Sequence, residues 1–243
     1  MSGTLYIVGT PIGNLEDITF RAVRILKEVD LIAAEDTRKT GILLKHYNIE
    51  KPLTSYYEHN KLSKGNYLVT ELLNGKDIAV VSDAGTPCIS DAGSALVDEA
   101  SKNGIKVVAV PGPSAVVSAL SVSGLQADRY IFLGFLKKKP SKRRKELEAC
   151  KHEDRVVVFY ESPHRIVKAL EDVRTVMGEV FIAVNRELTK KFEETARGAI
   201  TEVINYFTSK KILGEFCVVV KPPGKSEAGV KEDKEEEEES ECE

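Results

Sequence analysis

Short apolar runs alternate along this chain with longer stretches in which apolar residues recur every three or four positions. The runs Leu5–Val8, Leu31–Ala34, Leu53–Tyr56, Ile78–Val81 and Val107–Val110 are strand-sized. Between them, Thr19–Glu28, Thr37–Tyr47, Lys61–Asn74 and Asp91–Asn103 carry helical spacing. Strands separated by helices need crossover connections, so the pattern predicts a mostly parallel sheet. Asn74-Gly75 and Asn103-Gly104 stand where helices should end. A small-residue helix from Ala115 to Ser121 then leads into Gly124-Leu125-Gln126-Ala127-Asp128, where a domain boundary is expected.

The pattern restarts with a strand over Tyr130–Gly134, a basic helix over 141–149 and a strand over Val156–Tyr160. Ser162 is predicted to cap a helix whose first residue is Pro163. Ile166, Leu170, Val173 and Met177 mark the buried face of that helix. Strands over Val180–Val184 and Glu215–Val220 follow, with a helix near Thr201–Phe207 between them. The reading is of two α/β domains, 1–124 and 125–223, and an acidic, disordered tail over 224–243. No internal repeat is present.

Composition narrows the class. An apolar fraction of 42% and a charged fraction of 30% are those of a folded globular chain. No apolar run approaches the roughly 18 residues of a membrane span, and Met1-Ser2-Gly3-Thr4 enters a strand without a basic leader segment. The four cysteines are scattered, with no Cys-x-x-Cys pair, and no two histidines are spaced as metal ligands. A cytoplasmic protein without a structural metal is expected. The net charge of −3 hides an asymmetry: residues 224–243 hold three Lys against ten Asp and Glu, leaving +4 on the rest. Residues 137–151 hold eight Lys and Arg against two Glu, so a negatively charged partner is open.

Glycine loops follow three of the predicted strands: Gly9-Thr10-Pro11-Ile12-Gly13-Asn14, Ser82-Asp83-Ala84-Gly85-Thr86-Pro87 and Pro111-Gly112-Pro113-Ser114-Ala115. In open α/β sheets ligands bind beyond the strand carboxyl ends, where glycine lets backbone approach closely. None of the loops is a Walker loop or a Gly-x-Gly-x-x-Gly fingerprint, and no Gly-x-Ser-x-Gly elbow is present. The near absence of Lys and Arg in them suits a ligand that is not polyanionic. An adenosyl group on a positively charged sulfonium would fit.

Together with Ala34-Glu35-Asp36-Thr37-Arg38, Glu58-His59-Asn60, Glu161-Ser162-Pro163-His164-Arg165 and Asn185-Arg186-Glu187-Leu188-Thr189-Lys190, these loops form an ordered set of motifs. The set resembles the tetrapyrrole-methylase superfamily, and within it the small-subunit ribosomal RNA methyltransferase I branch, from about residue 3 to 222. The resemblance implies class III S-adenosylmethionine methyltransferase architecture, two α/β domains with the cofactor in the cleft between them, and a homodimer. It implies 2′-O-methylation of a cytidine ribose in the decoding region of 16S ribosomal RNA. The cofactor positions it carries over are Pro11, Gly13, Ala84, Gly85, Thr86, Ile89, Ser114 and Ala115, with Tyr160 and Asn185 from the second domain.

A ribose hydroxyl should lose its proton during attack, so a general base is expected. Candidates are Glu35, Asp36, Glu58 and Glu187, with Glu187 preferred because it lies between cations beyond a strand end. Asp83 could face the sulfonium. His164 and Arg165, placed in the first turn of a helix, suit an RNA phosphate, the alternative being an Arg165 paired with Glu161 or solvated. Arg38, Lys138, Arg143 and Arg144 extend the candidate RNA surface, and Tyr56 or Tyr57 could stack on a base. His59 reads equally as structural or catalytic. The alternatives are a methylase of a tetrapyrrole or other small molecule, and a non-catalytic RNA-binding or ribosome-assembly protein.

Overall fold

The computed structural model describes residues 2–91 and 93–224. The expected acidic tail, beyond Gly224, lies outside the described residues. The chain folds as two compact units that divide at Ala115/Val116.

The first unit holds β1 (Thr4–Val8), α1 (Phe20–Glu28), β2 (Leu31–Ala34), α2 (Thr37–His46), β3 (Leu53–Ser55), α3 (Lys61–Leu73), β4 (Ile78–Val81), α4 (Ser94–Lys102) and β5 (Lys106–Val110). Its five strands are all parallel, in the order β3-β2-β4-β1-β5. β2 and β4 are apolar at every position because helices cover both faces of the sheet. Leu5, Ala33, Ile78 and Val80 pack with Leu68 and Leu72 of α3 and Leu96 of α4. Val8, Ile32, Ala79 and Val81 pack on the other face with Ile25 and Leu26 of α1 and Leu44 of α2. Thr19 caps α1 through Ala22 N, and Asp36 caps α2 through Arg38 N. α4 starts at Ser94, three residues later than the periodicity suggests, which leaves Asp91 in the loop after β4.

The second unit holds α5 (Ala115–Ser121), whose first residue closes the first unit, then β6 (Tyr130–Phe135), α6 (Pro140–Glu148), β7 (Val156–Glu161), α7 (Ile166–Met177), β8 (Phe181–Arg186), β9 (Glu194–Ala199), α8 (Ile200–Thr208) and β10 (Phe216–Val220). Its sheet runs β6-β7-β10-β8-β9, parallel only between β6 and β7. One face is buried under helices: Val157, Phe159, Val184 and Val218 pack with Leu147, Leu170, Val173, Ile204 and Phe207. Burying a side chain of this kind contributes about 1.5–3 kcal/mol.

Two elements differ from the sequence pattern. β9 reads Glu-Thr-Ala-Arg-Gly-Ala and shows no apolar alternation; as an edge strand it is held by its ladder to β8. α7 starts at Ile166, not at Pro163. Residues 162–165 instead form a turn in which Ser162 O accepts from the amides of both Arg165 and Ile166. The turn forms because the buried Glu161 carboxylate accepts from Ser162 N at 2.7 Å and pairs with Arg165 at 2.6 Å.

Candidate functional site

The strand order brings the three glycine loops together, because they follow β4, β1 and β5, which are neighbours in the first sheet. All three lie at the carboxyl end of the parallel sheet, the end at which such sheets bind ligands. The loops are joined backbone to backbone. Thr10 and Gly85 exchange amide–carbonyl bonds of 2.9 and 3.1 Å, and Gly9 N donates to Val110 O at 3.0 Å. Thr10 Oγ1 donates to Ser82 O at 3.3 Å.

Two glycine requirements follow from this packing. A Cβ on Gly9 would lie 2.8 Å from Gly112 Cα, and one on Gly112 would lie 2.8 Å from Gly9 O, so neither loop tolerates a side chain at the crossing. Gly85 has φ +80°, the left-handed region, yet a Cβ there would meet only Ile12 Cγ2 at 3.5 Å and Pro113 O at 3.6 Å. Glycine is therefore required at 85 by conformation rather than by crowding. Pro11, Thr86, Ser114 and Ala115 are half-buried along these loops, and Gly13, Ala84 and Ile89 are exposed.

Carboxylates line the adjoining end of β2. Asp83 Oδ1 accepts from Asp36 N at 3.0 Å and Oδ2 from Lys39 Nζ at 2.6 Å, while Glu35 Oε2 accepts from Asp83 N at 3.2 Å. Asp83 thus ties the β2 and β4 ends together. Burial pushes the Glu35 carboxyl above its ordinary range, and repulsion from Asp91 and Asp83 adds to this against the lowering effect of the Asp83 amide and Lys39. Burial also raises Asp91, partly offset by a hydrogen bond with Ser82 and reinforced by Asp83. Arg38 forks onto Asp36 at 3.0 and 2.7 Å, holding that carboxyl well below its usual range. Asp91 escaped sequence reading because helical periodicity absorbed it; its place directly after the second glycine loop was the available signal.

In the second unit Tyr160 and Asn185 share one row of the sheet, each opposite Cys217 of β10. Asn185 is buried and donates to Cys217 O at 3.2 Å while accepting from Thr195 Oγ1 at 3.0 Å. Burial raises the Cys217 thiol to about 12, so it is inert at neutral pH.

Several sequence expectations are corrected. Glu187 is held by its own neighbours. Burial would raise its carboxyl, but Lys190 at 2.9 Å and the Glu215 amide at 3.0 Å outweigh that and lower it. It adopts φ +51° and folds over Gly214, clasping the β8 and β10 ends. Arg143 is not a phosphate contact: it is 3% exposed and held on Asp172 of α7 at 2.7 and 2.5 Å. Arg144 is exposed but also pairs with Asp172, at 3.0 Å. His164 and Arg165 lie in the turn before α7 rather than in its first turn, and Arg165 spends its guanidinium on Glu161 and on Leu136 O. Tyr56 is buried and unable to stack on a base; Tyr57 is exposed, edge-on to His59. Glu58 is paired with Lys61. Lys138 is exposed, as are Lys137, Lys139, Lys142 and Lys145.

Comparison with known proteins gives these features a family. The profile of the Tetrapyrrole (Corrin/Porphyrin) Methylases matches residues 4–204. The chain is 49% identical over 222 residues to the Ribosomal RNA small subunit methyltransferase I of Halalkalibacterium halodurans, covering 91% of this chain and 77% of that one. It is 50% identical over 218 residues to the protein of the same name from Thermotoga maritima, covering 90% and 98%. Among solved structures, a diphthine synthase superposes with a TM-score of 0.69 at 15% identity, covering 90% of each chain. The uroporphyrin-III-C-methyltransferase of Thermus thermophilus does so with a TM-score of 0.65 at 18% identity, covering 90% and 94%, which shows the shared fold. The chain belongs to the tetrapyrrole (corrin/porphyrin) methylase family, in its ribosomal RNA small subunit methyltransferase I branch.

Proposed function

We propose that this chain methylates the 2′-hydroxyl of a cytidine ribose in the decoding region of 16S ribosomal RNA, using S-adenosylmethionine. The observation that carries the reading is the juxtaposition of the three glycine loops at the carboxyl end of the first sheet, in a chain about half identical to ribosomal RNA methyltransferases. The loops fit the cofactor: they contain no Lys or Arg, and their backbones meet closely at Gly9, Gly85 and Gly112. Pro11, Gly13, Ala84, Gly85, Thr86, Ile89, Ser114 and Ala115 would hold it. When bound, S-adenosylmethionine supplies a methyl group already activated by its sulfonium.

The protein's own tasks are then to position the ribose and to accept a proton. Glu35 suits the second task, since its half-buried carboxyl is raised by burial and fixed by the Asp83 amide. Asp83, ion-paired with Lys39, contributes negative charge beside the loops. The exposed lysines 137, 138, 139, 142 and 145 suit RNA phosphates, and they favour RNA over a small tetrapyrrole substrate. No helix among the described residues is long and apolar enough to cross a membrane. The reading places the enzyme in the cytoplasm, as a homodimer acting on the small ribosomal subunit.

Calorimetry with S-adenosylmethionine and S-adenosylhomocysteine tests the cofactor; absence of binding overturns the reading. Mass-spectrometric mapping of 16S ribosomal RNA from a strain lacking this chain should show one unmethylated cytidine ribose, restored by the wild-type chain. An unchanged methylation map rejects the substrate.

A further inference from the structure

The edge strand of the second sheet carries a bulge that changes which face its last aromatic occupies. Tyr130 pairs with Val156, and Phe132 with Val158, but the next pair is Phe135 with Tyr160. β6 therefore advances three residues where β7 advances two, with Gly134 at φ +64°. Strand side chains alternate, so without the extra residue Phe135 would share the face of Ile131 and Leu133, which pack into the helix-covered core. The bulge turns it onto the opposite face, in one row with Tyr160, Cys217 and Asn185. Phe132 and Phe135 flank the Tyr160 ring at 5.0 and 5.5 Å between centroids, and Phe135 remains 58% exposed.

Exposing a phenyl ring costs hydrophobic burial, and here the fold departs from regular pairing to do it. Beyond the buried Leu136 come Lys137, Lys138 and Lys139, all exposed, with Lys137 N fixed by Glu146 Oε2 at 3.1 Å. A supported aromatic face followed by unburied lysines is what an unpaired nucleotide needs: a surface for its base and cations for its phosphates.

We propose that Phe135 is a stacking platform for an unpaired base of the RNA substrate, with Lys137, Lys138 and Lys139 holding the flanking phosphates. The inference rests on the reading of this chain as an RNA methyltransferase and adds the element that receives the single-stranded nucleotide.

The test uses the absence of tryptophan from the chain. Phe135→Trp places one indole at the platform, and a short single-stranded oligocytidylate and S-adenosylmethionine are titrated separately while its emission is followed. The expected result is quenching by the oligonucleotide, added with or without the cofactor. In parallel, Phe135→Ala should bind the oligonucleotide between about fivefold and a hundredfold more weakly, with S-adenosylmethionine affinity and thermal melting unchanged. Indole emission unmoved by the oligonucleotide, or full RNA affinity in Phe135→Ala, overturns the proposal. If the wild-type chain methylates small subunits but does not bind the oligonucleotide, this inference falls and the assignment as a methyltransferase stands. If it does neither, both fall.

Discussion

At the scale of single residues, burial separates groups that look alike in the sequence. Glu35 and Glu187 both follow strands, yet burial and neighbouring carboxylates raise the first while Lys190 and a backbone amide lower the second. Glu35→Gln is therefore expected to reduce kcat by roughly a hundredfold or more and to remove the acid limb of the kcat–pH profile, with S-adenosylmethionine affinity little changed. Glu187→Gln should lower the melting temperature and leave kcat within a few-fold. Steady-state kinetics across pH and thermal melts of the two variants check both outcomes. Arg143 shows the same division against its neighbours. Removing it leaves Asp172 buried without its main partner, so Arg143→Ala should cost about 3–5 kcal/mol in denaturant unfolding. Lys142→Ala, on the exposed face one residue away, should cost almost nothing.

At the scale of elements, α6 is amphipathic in charge rather than in apolarity. Arg143 and Leu147 face inward, Arg143 and Arg144 are engaged by α7 through Asp172, and the lysines face water. The cationic surface is therefore smaller than the eight Lys and Arg of residues 137–151 suggest, and it consists of lysines. Lysines that neutralise phosphates release counterions, so reversing Lys138, Lys142 and Lys145 to Glu should weaken RNA binding. It should also flatten the log–log salt dependence by somewhat under one unit for each phosphate no longer neutralised. Binding of the RNA and of S-adenosylmethionine, each measured at two salt concentrations, distinguishes this from a solvated helix face, which predicts no change in either. The β8–β9 edge depends on another ion-pair network. Burial would raise Glu194, but Lys210, Arg186 and Tyr206 reverse this and hold it at about 2 against an ordinary 4.5. A depressed carboxylate stabilises the fold above its unfolded pKa and loses that contribution as pH falls through the folded one. Stability should therefore decline between about pH 4.5 and pH 2, and Glu194→Gln should flatten that part of a urea-unfolding series.

At the scale of the whole molecule, the sequence by itself determined the two α/β halves and most of their elements, because helical periodicity and apolar runs are local signals that burial on parallel strands enforces. It also determined the three glycine loops as motifs, since glycine spacing is read directly from the chain. The strand over 194–199 was not legible, because an edge strand held by backbone pairing needs no apolar alternation. The start of α7 was not legible either: Pro163 favours a helix locally, and only the buried Glu161–Arg165 pair fixes a turn in its place. Strand order, which sets β4, β1 and β5 side by side and joins their loops through Thr10 and Gly85, is a long-range outcome of crossover packing. So are the burial of Arg143 and the turning of Phe135 onto the face of Tyr160 and Asn185. Each of these depends on which residues distant in sequence come to share a surface. That is set by the packing of whole elements, and the local pattern of the chain does not contain it.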